Sequence, residues 1–314
     1  DAMTTTQAAV VARGYPDKWF GSYPADYEMD PEVYNDPAYS NLMADAMLAI
    51  PTLSLVTNKD HLFSQAKDPA TGGIYIYTGH SSTGGQDWER PVSAELFTAD
   101  GAREFQVDCG IRIQGGESRN PQKMPKHSFS LRFRGEYGSS RFEFPLFDRS
   151  PVDRFESLQL RGFFNNAWNH WAPDQRQCAQ YIRDQWMHDS MLDMGHADGG
   201  YGFYVHLYLN GIYWGLYNVQ ERPVSSHYAA YNGGDPDRID AINGGRATHG
   251  TTQVWQETRS VVQSKNWTRI QEMIDIDNFI DWTLLNLFAG NVDLKTDGNW
   301  RAAGGWPDRR PWRF

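Results

Sequence analysis

The segment 202–221, with the sequence GFYVHLYLNGIYWGLYNVQE, restricts the fold more than any other part of the chain. Two runs rich in aromatic and branched apolar residues flank Asn210–Gly211, and Asn-Gly is the pair that two-residue type I′ turns prefer. The backbone twist of such a turn matches the twist of the strands on either side of it. The sequence therefore predicts an antiparallel hairpin that turns at Asn210 and Gly211.

Alternating apolar residues predict further strands before this hairpin. In one segment Ile111 alternates with Ile113, and in the next Phe129 alternates with Leu131 and Phe133, which is typical of half-buried strands in an antiparallel sheet. The predicted strands cover residues 52–57, 73–78, 91–97, 107–116, 127–135 and 157–161.

Apolar residues at helical spacing predict helices within residues 41–50, 175–194 and 276–290. In the second, Ile182 and Trp186 lie four residues apart and Gly195 is a C-cap; in the third, Asp275 is the N-cap. Because most strands precede the longer helices, we expect an α+β fold with a mainly antiparallel N-terminal sheet and a helical C-terminal part.

The first 50 residues differ from the rest of the chain. They are rich in Pro, Tyr and Asp and sustain neither a strand period nor a long helix period. We expect residues 1–50 to form an extended lead-in segment that packs over one domain, residues 51–314. No signal peptide is visible at the start of the sequence.

Composition excludes several classes of protein. The formal net charge of −10 has the wrong sign for a general nucleic-acid binder. No apolar run approaches the ~18 residues of a membrane span. The chain has two cysteines, Cys109 and Cys178, which we interpret as small buried apolar residues, with a disulfide open if the protein is exported. There is no HExxH or GxSxG motif, so a zinc protease and a serine hydrolase have no support.

The segment 111–133, IRIQGGESRNPQKMPKHSFSLRF, is a candidate phosphate site. A predicted strand runs into Gly115–Gly116, and Lys126 precedes the next strand. Glycines let backbone amides approach an anion closely, and a lysine supplies a point charge to phosphate. A hairpin with a glycine bulge and ordinary basic residues explains the same pattern and stays open.

Two further segments carry carboxylates. The loop after the last predicted helix offers Asp293, Asp297 and Asn299, a set that suits a base and a Mg²⁺ ligand in phosphoryl transfer, although Asp, Asn and Gly also form ordinary solvated turns. Glu221 ends the predicted hairpin, where a carboxylate could meet a ribose hydroxyl or a buried arginine. For Glu221 the residues favour a structural ion pair.

Taken together, these blocks of sequence resemble the CotH kinase family, named for spore-coat protein H. The resemblance runs from about Pro51 to the end of the chain. It rests on ordered segments: IPTLSLVT, WERPVSAELF, GIRIQGGESR, PKHSFSLRFRGEYG, YIRDQWMHD, VHLYLNGIYWGLYNVQERP and NVDLKTDGNW.

The resemblance implies a divergent protein-kinase-like fold and transfer of the ATP γ-phosphate to Ser or Thr of secreted or surface proteins, with Mg²⁺ or Mn²⁺. It implies that Lys126 contacts phosphate, that Glu221 lies near the adenosine, that Asp293 is the catalytic aspartate and that Asn299 holds the metal. The loop over the nucleotide matches Gly115, Gly116, Ser118 and Arg119.

The sequence departs from the family pattern in three places. Where the family often has a second lysine, this chain has His127, which leaves Lys126 as the candidate of that pair. The spacing from Asp293 to Asn299 is one residue longer than usual. The sequence ends at RRPWRF, before the Trp-Asp motif whose aspartate is the family's principal metal ligand, so we expect a domain that is incomplete at its C-terminus.

The sequence thus predicts a protein Ser/Thr kinase domain of an exported bacterial protein, whose partner is a protein with a Ser or Thr acceptor. Two alternatives stay open: a surface or matrix module without catalysis, and a pseudokinase scaffold that binds nucleotide without transferring phosphate. Neither the acceptor protein nor the oligomeric state follows from the sequence.

Overall fold

The computed structural model describes residues 2–19, 22–74, 86–295, 298–305 and 307–314. The chain divides into two compact units. Unit 1 comprises Asp1–Phe142, Glu156–Arg183 and Phe203–Gln220, and unit 2 comprises Glu143–Phe155, Asp184–Gly202 and Glu221–Phe314.

The secondary structure mixes helices and strands along the whole chain. The strands are β1 (Lys18–Trp19), β2 (Tyr23–Pro24), β3 (Thr52–Val56), β4 (Arg90–Phe97), β5 (Arg103–Gln114), β6 (Ser128–Arg132), β7 (Phe142–Glu143), β8 (Arg154–Phe155), β9 (Ser157–Arg161), β10 (Gly202–Leu209), β11 (Ile212–Glu221), β12 (Asp240–Asn243), β13 (Arg246–His249), β14 (Arg301–Gly305) and β15 (Arg310–Arg313). The helices are α1 (Gln7–Ala12), α2 (Pro31–Tyr34), α3 (Met43–Leu48), α4 (Lys59–Phe63), α5 (Pro173–Gln177), α6 (Arg183–Asp193), α7 (Ser225–Asn232), α8 (Gln253–Gln263), α9 (Trp267–Met273) and α10 (Ile276–Phe288).

Strands of unit 1 form a closed sheet in the order β10–β11–β9–β6–β5–β4–β3. From β3 through β4, β5 and β6 to β9, each strand pairs with the next in antiparallel register. The sheet closes where β10 lies parallel to β3, with His206 opposite Thr52. The predicted α+β class with a mainly antiparallel N-terminal sheet is confirmed.

The strands β6 and β9 are buried on both faces. Phe129 and Leu160 lie opposite each other on one face, and Ser130 and Gln159 lie opposite each other on the other, yet all four are buried. The expectation of half-buried strands is therefore wrong for these two. A closed sheet has one face inside it, so polar side chains there are withdrawn from water as well.

The hairpin of β10 and β11 confirms the strongest sequence signal. Asn210 and Gly211 have φ angles of 51° and 77°, the two left-handed positions that a type I′ turn needs. The Asn210 side chain also accepts a hydrogen bond from the Thr57 amide at 2.8 Å, just beyond the end of β3. This hydrogen bond connects the turn to the end of β3, the strand with which β10 pairs.

A buried ion cluster joins β4 to β5. Glu89, 6 % exposed, accepts hydrogen bonds from Arg112 at 2.6 Å and Arg134 at 2.7 Å. A Cβ atom on Gly110 would lie 2.5 Å from the Glu89 carboxylate, so glycine at this position makes room for the pair. Two guanidinium groups thus compensate the buried Glu89 carboxylate, which is the condition under which a charge is buried without a large cost.

The described part of the lead-in segment packs on an aromatic cluster. The Tyr27 ring contacts Tyr15, Trp19, Phe63 and Trp214, with ring centroids 5.7 to 6.0 Å apart. The Tyr27 hydroxyl donates to the Pro16 carbonyl at 2.8 Å. The domain boundary at residue 50 stays a prediction.

Unit 2 has its own core beside a sheet of order β13–β12–β14–β15. Its buried cluster contains Ile242, Val254, Met273, Ala302 and Trp312. The Trp312 indole donates to the Thr258 hydroxyl at 3.0 Å, which satisfies the polar atom of a fully buried ring.

The helix expected over 175–194 is in fact two helices, α5 and α6. The break between them has a hydrogen-bonding cause. The Cys178 carbonyl accepts from the Arg183 guanidinium at 2.7 Å, and the Tyr181 carbonyl accepts from the Tyr204 hydroxyl at 3.1 Å. Because side chains satisfy these carbonyls, the backbone leaves the helix without losing hydrogen bonds.

The helix expected over 276–290 is confirmed as α10, which begins at its N-cap Asp275. Its apolar side chains are partly in water, since Leu284, Leu287 and Phe288 are all exposed, Phe288 by 83 %. The Trp186 ring of α6 stacks on Phe288 at 6.3 Å. The helical spacing of the apolar residues predicted the helix correctly. It did not predict that part of the apolar face is exposed.

Other expectations have mixed outcomes. The short helix within 41–50 is confirmed as α3. The strand expected over 73–78 lies outside the described residues from residue 75 onward. Cys109 is buried as expected, whereas Cys178 is exposed, and both are free thiols. Among the described residues, no helix is long and apolar enough to cross a membrane.

Substituting Gly211 tests the turn. Gly211→Ala adds a Cβ that meets no atom within 4 Å, so its effect isolates the left-handed backbone. We expect a loss of about 1 kcal/mol in the free energy of unfolding, measured by urea denaturation. Gly135→Ala is the matched control, because Gly135 is equally open but does not have a positive φ. Equal effects of the two substitutions would contradict the assigned turn.

Candidate active site

Lys126 lies in an aromatic cage just before β6. Its amine donates a hydrogen bond to the Leu216 carbonyl in β11. The Nζ atom lies 4.5 Å from the ring centroid of Tyr217, 5.5 Å from Phe163 and 5.9 Å from Tyr181. Aromatic faces attract a cation but do not neutralise it.

The hairpin backbone also comes close to the Lys126 amine. A Cβ on Gly215, whose φ is 109°, would lie 3.2 Å from Nζ, so glycine leaves room for the amine. No carboxylate pairs with Lys126 among the described residues. Burial consequently lowers the pKa of Lys126 to about 7.

His127 is fully buried, and it does not supply the second positive charge of this site. Burial is the main cause that lowers the pKa of His127 to about 3. A backbone hydrogen bond with Met124 opposes the shift, and the nearby charge of Arg119 adds to it. The imidazole is therefore neutral at physiological pH. Because this chain has His127 where the family often has a second lysine, Lys126 is the one amine of the pair that titrates.

Glycine determines the backbone conformation of the loop that follows β5. Gly115 has a φ of 118°, and a Cβ there would collide with the Ser118 hydroxyl at 1.9 Å. A Cβ on Gly116 would meet no atom within 4 Å. A 3-10 turn, Glu117–Arg119, follows. This loop therefore keeps the small-residue character that the sequence predicted for a loop over phosphate.

Arg119 at the end of this turn is a buried cation. The residue is 6 % exposed, and its buried Nε atom has no hydrogen-bond partner among the described residues. Burial lowers the pKa of Arg119. The influence of its charge on His127 shows that Arg119 lies near the residue that follows Lys126. Unit 1 therefore holds two desolvated cations in the segment 119–126.

Glu221 is buried in unit 2, and its carboxylate already has partners within the protein. Its carboxylate accepts from the Tyr231 hydroxyl at 2.8 Å and from the Tyr201 amide at 3.0 Å, and it lies 3.5 Å from His227 Nε2. Burial alone would raise the pKa of Glu221, but the His227 charge and these hydrogen bonds outweigh it and lower the pKa. This is the structural ion pair that the residues alone favoured.

Asp293 and Asn299 are brought together in the loop after α10. The Asn299 amide donates to the Asp293 carbonyl at 2.8 Å, with Asn299 in a left-handed conformation at φ 61°. The Asp293 carboxylate is exposed and lies 3.4 Å from Lys295 Nζ. Asp297, the third acidic or amide candidate of this loop, lies outside the described residues. The loop presents one accessible carboxylate beside one amide.

The predicted site residues therefore fall into two groups. Gly115, Gly116, Ser118, Arg119 and Lys126 belong to unit 1, and Glu221, Asp293 and Asn299 belong to unit 2. Within the described ranges, no cluster of three or more His, Cys, Asp or Glu residues could hold a metal ion.

Sequence reasoning missed a half-buried charge network in unit 2. Arg313 donates to Asp198 at 2.6 and 2.7 Å and also to Asp275, the N-cap of α10. His196 Nε2 lies 2.8 Å from Asp281. These residues come from three separate segments of the chain. The one feature of the sequence that pointed to this network was the arginine in the terminal Trp-Arg-Phe.

A comparison with protein families matches residues 111–269 to the family described as CotH kinase protein, which is half of the chain. This chain belongs to the CotH kinase family. The matched segment contains the glycine loop, Arg119, Lys126 and Glu221, whereas Asp293 and Asn299 follow it. The predicted family is confirmed, although the match begins later than the resemblance from about Pro51. No curated protein matches this chain closely enough to count as a relative.

The Glu221–His227 pair predicts a pH dependence of stability in this CotH chain. Burial would lower the pKa of His227, but the Glu221 and Asp198 charges raise it above its usual 6.5. Its contribution is present below pH 6.5 and is lost as pH rises through the raised value. The Glu221 contribution is present above pH 4.5 and is lost as pH falls through the lowered value. Both contributions are complete together between these two values.

We therefore expect the thermal midpoint of the wild type to fall relative to that of His227→Gln as pH rises above 6.5, because the variant has no imidazolium to lose. The lowered pKa of Lys126 affects both proteins alike and cancels in this comparison. His249→Gln serves as a control, because His249 bonds to the Ile239 carbonyl and has no carboxylate partner among the described residues. Identical pH profiles for the wild type and His227→Gln would contradict the pair.

Proposed function

We propose that this CotH chain is an ATP-dependent protein Ser/Thr kinase domain, which transfers the γ-phosphate to a hydroxyl of an exported or surface protein. The observation that carries the proposal is that half-buried Lys126 and buried Arg119 both have a lowered pKa and no carboxylate partner among the described residues. An anionic ligand would compensate both charges.

Burying a cation without a carboxylate partner costs free energy, so a lysine or arginine in this state is a candidate for binding an anion. Lysine provides a compact point charge for phosphate, and arginine provides a planar fork that binds two oxygens at once. The glycine loop between β5 and the 3-10 turn lets backbone amides approach the same ligand. These features together fit the phosphate chain of a nucleotide.

Asp293 and Asn299 would serve the transfer step. When bound, ATP supplies the phosphoryl group and Mg²⁺ or Mn²⁺ neutralises charge on its oxygens. Asp293 would orient the acceptor hydroxyl and take its proton as the hydroxyl oxygen bonds to phosphorus and ADP leaves. Asn299 would offer its amide oxygen to the metal. Mg²⁺ in such sites keeps several waters and uses one or two carboxylates plus the substrate phosphates, so a large protein cluster is not required.

The proposal also includes what the family resemblance implies for the whole protein. The fold would be a divergent protein-kinase-like fold with a lead-in segment over residues 1–50, and the protein would act outside a bacterial cell or on its surface, as the spore-coat name of the family suggests. The resemblance also implies that Glu221 lies near the adenosine, where its engaged carboxylate would act by holding Tyr201, Tyr231 and His227 in position.

Nucleotide binding tests the proposal first. We expect Lys126→Met and Arg119→Leu each to weaken binding of Mg-ATP by about 10- to 100-fold, measured by calorimetry, because each removes a charged hydrogen bond to phosphate. Lys123→Met is the matched control: Lys123 is a nearby lysine already paired with Glu117 at 2.6 Å. Equal affinities of all four proteins would exclude a phosphate site at Lys126 and Arg119.

Transfer is measured with labelled ATP and a Ser-rich acceptor, using the longest natural form of the chain. Asp293→Asn should lower the rate about 10²- to 10⁴-fold, the usual contribution of a general base. Asp277→Asn, an exposed carboxylate on α10, should leave the rate unchanged. Binding that depends on Lys126 without transfer would instead favour the pseudokinase scaffold, and no binding at all would favour the non-catalytic surface module.

The lowered pKa of Lys126 predicts how nucleotide affinity varies with pH. The free amine has a pKa of about 7, whereas a bound phosphate favours the charged form. Binding must then take up a proton above pH 7, and affinity should fall by up to about tenfold per pH unit. Calorimetry in two buffers of different ionisation enthalpy measures this uptake. Lys126→Met should show no such dependence, and a pH-independent wild type would refute the assignment.

A further inference from the structure

The segment 163–172 of unit 1 leaves two tryptophans in water. Trp168 is 70 % exposed and Trp171 is 55 % exposed. Soluble proteins rarely expose several large apolar side chains together, and such patches mark interaction sites. Neither ring belongs to the phosphate site proposed above.

The backbone that carries these rings is fixed. The Trp168 amide donates to the Tyr181 hydroxyl at 3.3 Å, and the two rings meet edge to face at 5.0 Å. The Trp171 amide donates to the Lys123 carbonyl at 2.9 Å. Between the tryptophans, His170 is buried, with its ring 4.8 Å from that of Phe164. Exposed rings on a preorganised backbone lose little entropy when they bind.

The charges beside the rings are already engaged. The Arg176 guanidinium donates to the carbonyls of His170 at 2.8 Å and Trp171 at 3.1 Å. The Lys123 amine, 5.7 Å from the Trp171 ring, is paired with Glu117. The Asp174 carboxylate is close enough to act on His170. The two cations, Arg176 and Lys123, thus lie beside two carboxylates, Asp174 and Glu117, and an anionic polymer would meet no net positive charge among these groups.

We propose that Trp168 and Trp171 form an aromatic platform that binds a neutral polysaccharide. The C–H faces of pyranose rings are apolar and can stack on indole, while hydroxyls at the ring edge need hydrogen-bond partners. The exposed amides of Asn165 and Asn169, on either side of Trp168 in the chain, supply donors and acceptors. Binding here would hold the domain on a glycan-covered surface, independently of phosphoryl transfer.

Native affinity electrophoresis of the whole chain, without ATP, tests the platform. The gels contain a soluble β-glucan, xylan or glucomannan as neutral probes, and polygalacturonate as the anionic probe. At least one neutral polymer should retard the wild type. Trp168→Ala and Trp171→Ala should each weaken that retardation about tenfold, and the double variant should abolish it. Trp267→Ala is the matched control, since Trp267 is 57 % exposed in α9.

Circular dichroism checks that each variant is folded. If an alanine variant unfolds, Trp168→Tyr and Trp171→Tyr replace it, and they should reduce binding partially, because a smaller ring still stacks. The proposal is overturned if no neutral polymer retards the wild type, if polygalacturonate alone does, or if Trp267→Ala loses as much binding as the platform variants. Binding of a proline-rich peptide in place of any neutral polymer, seen by tryptophan fluorescence, would assign the surface to a protein partner instead.

Discussion

The hairpin that turns at Asn210–Gly211 constrains most of unit 1. Its two left-handed residues fix the register of β10 and β11, and the tie from Asn210 to Thr57 aligns β10 with β3. This parallel pairing closes the sheet, and closure in turn buries the polar face of β6 and β9. The strand β11 runs beside Lys126. It supplies the Leu216 carbonyl and the Tyr217 ring, which both contact the lysine amine. A slip of one residue in β11 would turn that ring to the other face of the sheet.

Two other charge clusters of this CotH chain contain partners of opposite sign. Glu89 is shared by two arginines in unit 1, and Arg313 is shared by Asp198 and Asp275 in unit 2. Arg90 is buried without a carboxylate, but its guanidinium donates to four backbone carbonyls. Neither Lys126 nor Arg119 pairs with a carboxylate among the described residues. Because desolvating an uncompensated cation lowers stability, this contrast is the physical reason to regard these two as ligands for an anion.

The sequence predicted those features whose causes are local. The Asn-Gly turn, the cap of α10 and the loop that joins Asp293 to Asn299 each depend on neighbouring residues. The long helix over 175–194 was mispredicted because the Arg183 and Tyr204 side chains satisfy carbonyls that a helix would use. The cage around Lys126 could not be predicted, since Phe163, Tyr181 and Tyr217 come from three separate segments. The burial of both faces of β6 depends on closure of the sheet, which no single strand encodes.

The two thiols differ enough to be distinguished chemically. Burial, together with the charges of Asp108 and Glu89, raises the pKa of Cys109 to about 12, whereas Cys178 is exposed at the end of α5. Maleimides react with the thiolate, so at neutral pH they should label Cys178 and leave Cys109 untouched. Cys178 lies three residues before Tyr181, whose ring contacts both Lys126 and Trp168. These 314 residues thus carry a single attachment point for a fluorophore or spin label, and within them no cysteine has to be introduced or removed to use it.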